Sequence, residues 1–276
     1  MQWRLLNTGY NPGPYNMALD EALMSQVIDG SSKPVIRFYG WQPACVTLGY
    51  FQDLDKEIDV PGCKQRGIDM VRRLTGGRAV LHHYEVTYSL IAPELDERVS
   101  GTIIQSYLKI SRGLVSGLKS LGIPVDLAPH GKKPEADSTA ACFEAPSWYE
   151  VVLDGKKLVG SAQTRKKGVL LQHGSILLDL DVDELADTIQ FKNDKIKDRF
   201  RRTFPTKACA INQVMQKRQD FNHTVSALIK GFEQELKIDL VPDSLTKTEI
   251  ESTAELINKY SSQEWNSKIR NKKKRA

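Results

Sequence analysis

No stretch of this 276-residue chain approaches the roughly 20 consecutive apolar residues of a membrane-spanning helix, which argues against a membrane protein. The opening MQWRLLNTGYNPG lacks a positive region followed by an apolar run, so no secretory signal is read and the expected location is cytoplasmic. Cysteine is sparse. Cys45, Cys63, Cys142 and Cys209 are far apart and form no CxxC pair, which removes both a zinc cage and a disulfide framework from consideration. No repeat period or low-complexity block is visible apart from a basic end, and there is neither a GK[ST] phosphate loop nor a GxGxxG fingerprint. A strong charge excess is missing too: the net +5 drops to near neutrality once Lys268, Arg270, Lys272, Lys273, Lys274 and Arg275 are set aside. That composition does not suit a nucleic-acid coat, although a modest basic patch can steer an acidic protein into contact.

What is present describes a folded chain. Hydrophobic residues make up 40% and charged residues 26%, and the length fits one large α/β domain with at most a small helical appendage. NMALDEALMSQVI (16–28) has helical spacing, with Asn16 as the expected N-cap. PVIRFYG (34–40) and ACVTLGY (44–50) read as two strands in a hairpin-like pair. Residues 69–93 read as strand, loop, strand, strand around TGGR, and 102–121 carry the clearest helical stripe in the chain. After a polar loop (128–141), SWYEVVLD, KKLVGSAQT and GVLLQHGSILLDL read as antiparallel strands, with Asp154-Gly155 the strongest hairpin turn. DVDELADTI, AINQVMQKR, HTVSALIKGFEQEL and KTEIESTAELINKY then have helical spacing. The expected division is a core over 1–202, a helical segment over 203–262 packed on the same domain, and a disordered basic tail over 263–276.

Cys142, in STAACFEAPSWYE, sits at a loop edge, where a thiol can be accessible, whereas Cys45 in CVTLGY reads as a small buried hydrophobe. Lys157, beside the following hairpin turn, has two readings. Near a thiol its ammonium would favour thiolate and hold a carbonyl oxygen; otherwise Lys156 and Lys157 are solvated hairpin charges. Arg72, Arg73 and Arg78 surround Gly76 and Gly77, a pattern in which backbone approaches a ligand while arginines offer bidentate contact. Its plain alternative is a glycine hairpin with surface arginines. His82 and His83 adjoin that loop and His173 lies in VLLQHGSILL; no third ligand at metal-like spacing accompanies them, so wall or core roles are expected and no metal site.

RRLTGGRAVLHH, CFEAPSWYE and DGKKLVGSAQTRKKGVLLQHGSILLDLD, together with NMALDEALM and PVIRFYGWQPACVTLGYFQ, resemble the lipoate-ligase and octanoyltransferase family over roughly residues 1–260. The resemblance implies an α/β (α+β) protein with the biotin/lipoyl protein ligase catalytic-domain fold, a mixed, mostly antiparallel sheet packed with helices. Cys142 followed by FEAPSWYE is similar to an octanoyltransferase branch. There the resemblance implies Cys142 as acyl-thioester nucleophile and Lys157 as the lysine that lowers its pKa. Octanoyl-acyl carrier protein would be the donor and a lysine of the glycine cleavage H protein the acceptor, with no cofactor, nucleic acid or membrane partner. Arg73, Gly76, Gly77, Arg78, His82, Gly160, Ser161, Ala162, His173 and Gly174 would line the substrate pocket. Leu74 and His83 depart from the pattern, which usually has proline and aspartate there. The alternatives are an ATP-dependent lipoate ligase, an amidotransferase between lipoyl domains, and a non-catalytic carrier-binding module.

Overall fold

The computed structural model describes residues 1–128 and 150–267. Its elements run β1 (Gln2–Asn11), α1 (Gly13–Ile28), β2 (Val35–Trp41), β3 (Cys45–Leu48), α2 (Leu54–Glu57), α3 (Val60–Gln65), β4 (Asp69–Arg72), β5 (Val80–His82) and β6 (Glu85–Pro93). There follow α4 (Ile103–Ser120), β7 (Asp126–Leu127), β8 (Val151–Leu153), β9 (Lys156–Lys166), β10 (Val169–Leu177), α5 (Val182–Ala186), α6 (Asp194–Thr203), α7 (Phe221–Leu236), β11 (Asp239–Pro242), α8 (Lys247–Ser261) and α9 (Gln263–Ser267). None of the described helices is long and apolar enough to cross a membrane.

Eight strands form the main sheet in the order β11-β1-β2-β6-β10-β9-β8-β7. β11, β1 and β2 pair in parallel and the remaining ladders are antiparallel, which is the expected mixed sheet. Because both faces are covered, the central strands β2 and β10 are buried at every position, and their apolar runs are nearly continuous. α4 and α7 lie on one face, burying Ile110, Leu114, Leu228 and Phe232 against Phe38, Tyr88 and Leu170. α1 covers the other, with Leu19 and Leu23 against Val35, Ile91 and Leu171. A second sheet, β4-β3-β5, stacks outside α1.

Four sequence expectations change here. α1 begins at Gly13, not Asn16: its capping residue is Pro12, and Asn16 is instead buried in the first turn, donating to the carbonyls of Asn11 (3.1 Å) and Gly40 (2.9 Å). The strands at 34–50 are not a hairpin, since β2 joins the main sheet and β3 the small one. AINQVMQKR gives only a short 3₁₀ turn at Ile211–Gln213, where the first helical turn is not continued. Of the stretch expected as a disordered tail over 263–276, Gln263–Ser267 form α9, where Trp265 and Asn266 bond to Arg72; 268–276 lie outside the described residues.

Candidate functional site

The TGGR loop joins β4 to β5; Arg72 and Arg73 at its start are buried and Arg78 is half-buried. Arg73 is buried and donates to the carbonyls of Thr47 (3.1 Å), Gly76 (2.8 Å) and Arg78 (2.8 Å). Arg72 likewise donates to Gly49 and Gln52 carbonyls on the neighbouring loop. Among the described residues these guanidiniums support the loop backbone. Gly77 has φ +98°, and its carbonyl comes so close to Gly49 that a Cβ there would lie 2.0 Å away.

Arg73 also forks to two hydroxyls. Its Nε donates to Thr75 Oγ1 (3.0 Å) and NH1 donates to Thr47 Oγ1 (3.1 Å). Each threonine in turn meets a histidine: Thr75 lies 2.7 Å from His173 Nε2, and Thr47 lies 2.8 Å from His82 Nε2. On its far side His173 Nδ1 faces Asp20 (3.3 Å), and His82 Nδ1 faces Glu85 (2.7 Å). Carboxylates only accept, so each imidazole donates from Nδ1; in the neutral ring Nε2 then accepts the threonine hydroxyl. Asp20 further accepts from Arg37 (2.8 Å), Tyr39 (3.0 Å) and Ser89 (2.9 Å), while Glu85 accepts from Thr87 and Ser175. The result is a buried polar layer between the main sheet and the TGGR loop that contains both His82 and His173.

Burial holds the His173 imidazole below its ordinary 6.5; the bond to Asp20 opposes this, and Arg73 and His82 add to it. For Asp20 burial acts upward, but His173 and Arg37 outweigh it and hold the carboxyl below 3.8. Below pH 6.5 the unfolded chain takes a proton that folded His173 resists, and near pH 3.8 it takes another that Asp20 resists. Stability is therefore expected to fall as the pH is lowered from 7 to 5. His173→Asn should flatten that decline in urea-unfolding midpoints; an equally steep decline in the variant would clear His173 of the effect.

β9 and β10 bring the next group together. Ala162 pairs with His173, Ser161 with Gly174, and Gly160 with Ser175. Gly174 leaves room for the opposite strand and a ring, since a Cβ would meet the Gly160 carbonyl and Tyr88 Cε1, each at 2.8 Å. The hydroxyls of Ser161 and Tyr88 are 2.9 Å apart, and Gln172 donates to Tyr88 (2.8 Å).

Lys157 stands at the start of β9, after a turn in which Asp154 (φ +49°) and Gly155 (φ +75°) both take the left-handed conformation of a tight hairpin. The solvated-charge reading does not hold: Lys157 and Glu150 are each 2% exposed and form a buried ion pair. Cys142 lies outside the described residues, as do 268–276. Glu150 borders the segment containing it, and that segment is closed at its base by β7–β8 pairing and by a bond from Ala128 N to the Glu150 carbonyl (2.8 Å).

The three described thiols are poor nucleophiles. Burial pushes Cys45 well above its ordinary value, Cys63 up to about 12 and Cys209 up to about 11. Cys209 matters most, because its N–H donates to the Lys157 carbonyl (3.0 Å), yet its thiol stays protonated at neutral pH. Among the described residues no group of three or more His, Cys, Asp or Glu side chains is placed to hold a metal. A separate cleft of about 730 Å³ opens on the edge of the polar layer, lined by Tyr10, Trp41, Pro43, Tyr84 and Glu85, without Lys157 or the TGGR glycines.

Sequence reading missed Asp20, Arg37, Thr47, Thr75 and Glu85. The available signal was a charge in the wrong place: Asp20 amid the apolar face of α1, and Arg37 inside the apolar run VIRFYGW.

Residues 12–233 match the family model described as the lipoyl protein ligase A/B catalytic domain. Octanoyltransferase LipM of Staphylococcus epidermidis is 46% identical over 268 residues, covering 95% of this chain and 97% of that one. Octanoyltransferase LipM of Bacillus subtilis is 43% identical over 272 residues, covering 96% and 98%. Among solved structures, a bipartite lipoate protein ligase from Thermoplasma acidophilum superposes with a TM-score of 0.80 at 28% identity, covering 99% of this chain and 98% of that chain. Lipoate-protein ligase A bound with ATP gives 0.79 at 27% identity, covering 98% and 100%.

Proposed function

The chain belongs to the lipoyl protein ligase A/B catalytic-domain family, and on that premise we propose that Cys142 accepts an octanoyl group as a thioester and passes it to a lysine of an acceptor protein. It is an acyltransferase, and octanoyl transfer in lipoate biosynthesis is the activity for which its curated relatives are named. The donor in this reading is octanoyl-acyl carrier protein and the acceptor is the glycine cleavage H protein.

The observation that carries the reading is a buried lysine beside the base of the Cys142 segment. Lysine is almost never fully buried unless paired; here its pairing with Glu150 holds the ammonium at the end of the strand that also bears Gly160, Ser161 and Ala162. Cys142 precedes Glu150 by eight residues, a tether of at most about 29 Å, and Glu150 holds the Lys157 ammonium.

In the first step the Cys142 thiolate attacks the donor carbonyl; the new C–S bond forms as the carrier C–S bond breaks, and the carrier sulfur leaves as a thiol after taking a proton. In the second, the acceptor amine attacks the Cys142 thioester; a C–N bond forms, Cys142 departs, and the amine proton returns to its sulfur. Lys157 favours the thiolate and balances the negative charge on the carbonyl oxygen. Thioester exchange is nearly balanced and amide formation from a thioester is downhill, so ATP has no part in either step. Arg73, Gly76, Gly77, Arg78, His82, Gly160, Ser161, Ala162, His173 and Gly174 would shape the pocket, with Arg73 acting through the loop.

Exposure to octanoyl carrier protein should add one octanoyl mass to the intact native chain and none to Cys142→Ala, with Cys209→Ser as the control that still acquires it. Transfer by Cys142→Ala should fall by about 10³-fold or more. Retained activity with AMP formed from free lipoate would establish the ligase reading in its place.

A further inference from the structure

We propose that the outer face of α6 is the docking surface for the acidic carrier protein that delivers the acyl group to the Lys157 region, an inference that rests on the transfer reaction proposed above. Residues 191–207 contain seven Lys or Arg and two Asp, and that excess of five equals the net charge of the whole chain.

The helix sorts these charges by face. Phe200 turns inward at 2% exposure and packs between Phe191 and Phe204. On the next flank Lys197 (2.7 Å) and Arg201 (3.0 Å) are held by Asp187, which Arg66 also reaches. Lys192, Lys195, Arg199 and Arg202 remain, all exposed and none in an ion pair among the described residues. Within α6 the spacing of four and three puts Lys195, Arg199 and Arg202 in one stripe, bordered by Asp198, which pairs with Arg201 (3.5 Å); Lys192 precedes the helix. Three exposed cations along one face, with Lys192 just before the helix and Lys197 and Arg201 fastening it, complement an acidic partner.

The stripe is joined directly to the candidate active site. α6 runs through the turn Phe204–Thr206 to Lys207, whose carbonyl accepts the Lys157 N–H at 2.8 Å. Arg202 precedes Lys207 by five residues, so it lies within about 18 Å along the chain. A partner seated on α6 therefore stands to one side of Lys157. An acyl group on a long carrier tether can cover that offset, whereas an acceptor lysine, on its four-carbon stem, must be brought over the site itself.

The test is steady-state transfer by the full chain carrying Lys195→Glu, Arg199→Glu and Arg202→Glu together, and by the matching triple Gln variant as a milder change. Octanoyl carrier protein and a small octanoyl thioester serve as alternative donors. Charge reversal should raise KM for the carrier-bound donor about tenfold or more and flatten its dependence on ionic strength. The Gln variant should shift in the same direction by less, while kcat, KM for the small thioester and KM for the acceptor hold. An unchanged carrier KM overturns the proposal, and so does a rise confined to the acceptor KM. If the native chain takes octanoyl from neither donor, the transfer reaction itself fails, and that outcome is distinct from loss of docking alone.

Discussion

Lys157→Met is expected to lower kcat/KM for octanoyl transfer by about 10³-fold and to destabilise the protein as well. The second effect follows from burial on both sides of the ion pair: removing the ammonium leaves the Glu150 carboxylate in place without its cation, which costs about 3–5 kcal/mol. A destabilised variant that is also inactive would say little about chemistry, so the informative chain is Lys157→Met with Glu150→Leu. Exchanging both buried charges for apolar side chains of similar size is often neutral, and the double variant should recover most of the native melting temperature. If Lys157 acts on the sulfur and the carbonyl oxygen, activity stays lost in that stable protein. Without the ammonium a cysteine should also titrate closer to its free value of about 8.5, moving the rising limb of the pH–rate profile upward. Activity that returns with stability, or a profile that does not move, would make the lysine structural.

Asp20→Ala should be the most destabilising single change in the polar layer, by about 3–5 kcal/mol. Its carboxylate accepts from four residues on three strands, Arg37, Tyr39, Ser89 and His173, and Arg37 is 0% exposed. The substitution strands a buried guanidinium and frees three other donors. Asp20→Asn keeps the shape but loses the charge, and so should lie between the native chain and Ala. Chemical unfolding of the three proteins would show that order; an Ala variant within 1 kcal/mol of native, on the order of an ordinary surface change, would mean the layer is held by other contacts.

Local chemistry was readable from the chain itself. α4 appears where the apolar stripe placed it, and Thr102 and Gln105 close a capping box at its start. The Asp154-Gly155 turn and the antiparallel run after it also follow from spacing, because a tight turn fixes register over a few residues. What spacing cannot display is a contact between distant segments. Asp20 and His173 are 153 positions apart, and Arg4 and Glu249 are 245 apart. Each looks locally like a misplaced charge, and only folding supplies the partner. β11 was hidden in the same way: four residues after α7 pair in parallel with β1 from the opposite end of the sequence. Motif resemblance singled out Gly76, Gly77 and Lys157, but not the threonines linking Arg73 to both histidines, since a lone hydroxyl, in a strand at Thr47 and in the loop at Thr75, carries no periodic signal.

The borders of the main sheet limit what the molecule can stick to. One margin is the two-residue β7; the other is β11, which ends in Pro242 and shields β1 only from Gln2 to Leu5. Beyond that shield, β1 is broken by a bulge between Asn7 and Tyr10, with Gly9 at φ +64°. Among the described residues neither rim offers a long straight ladder of unsatisfied amides, which keeps a wide sheet from the fibre-forming habit that its central strands would show if laid bare.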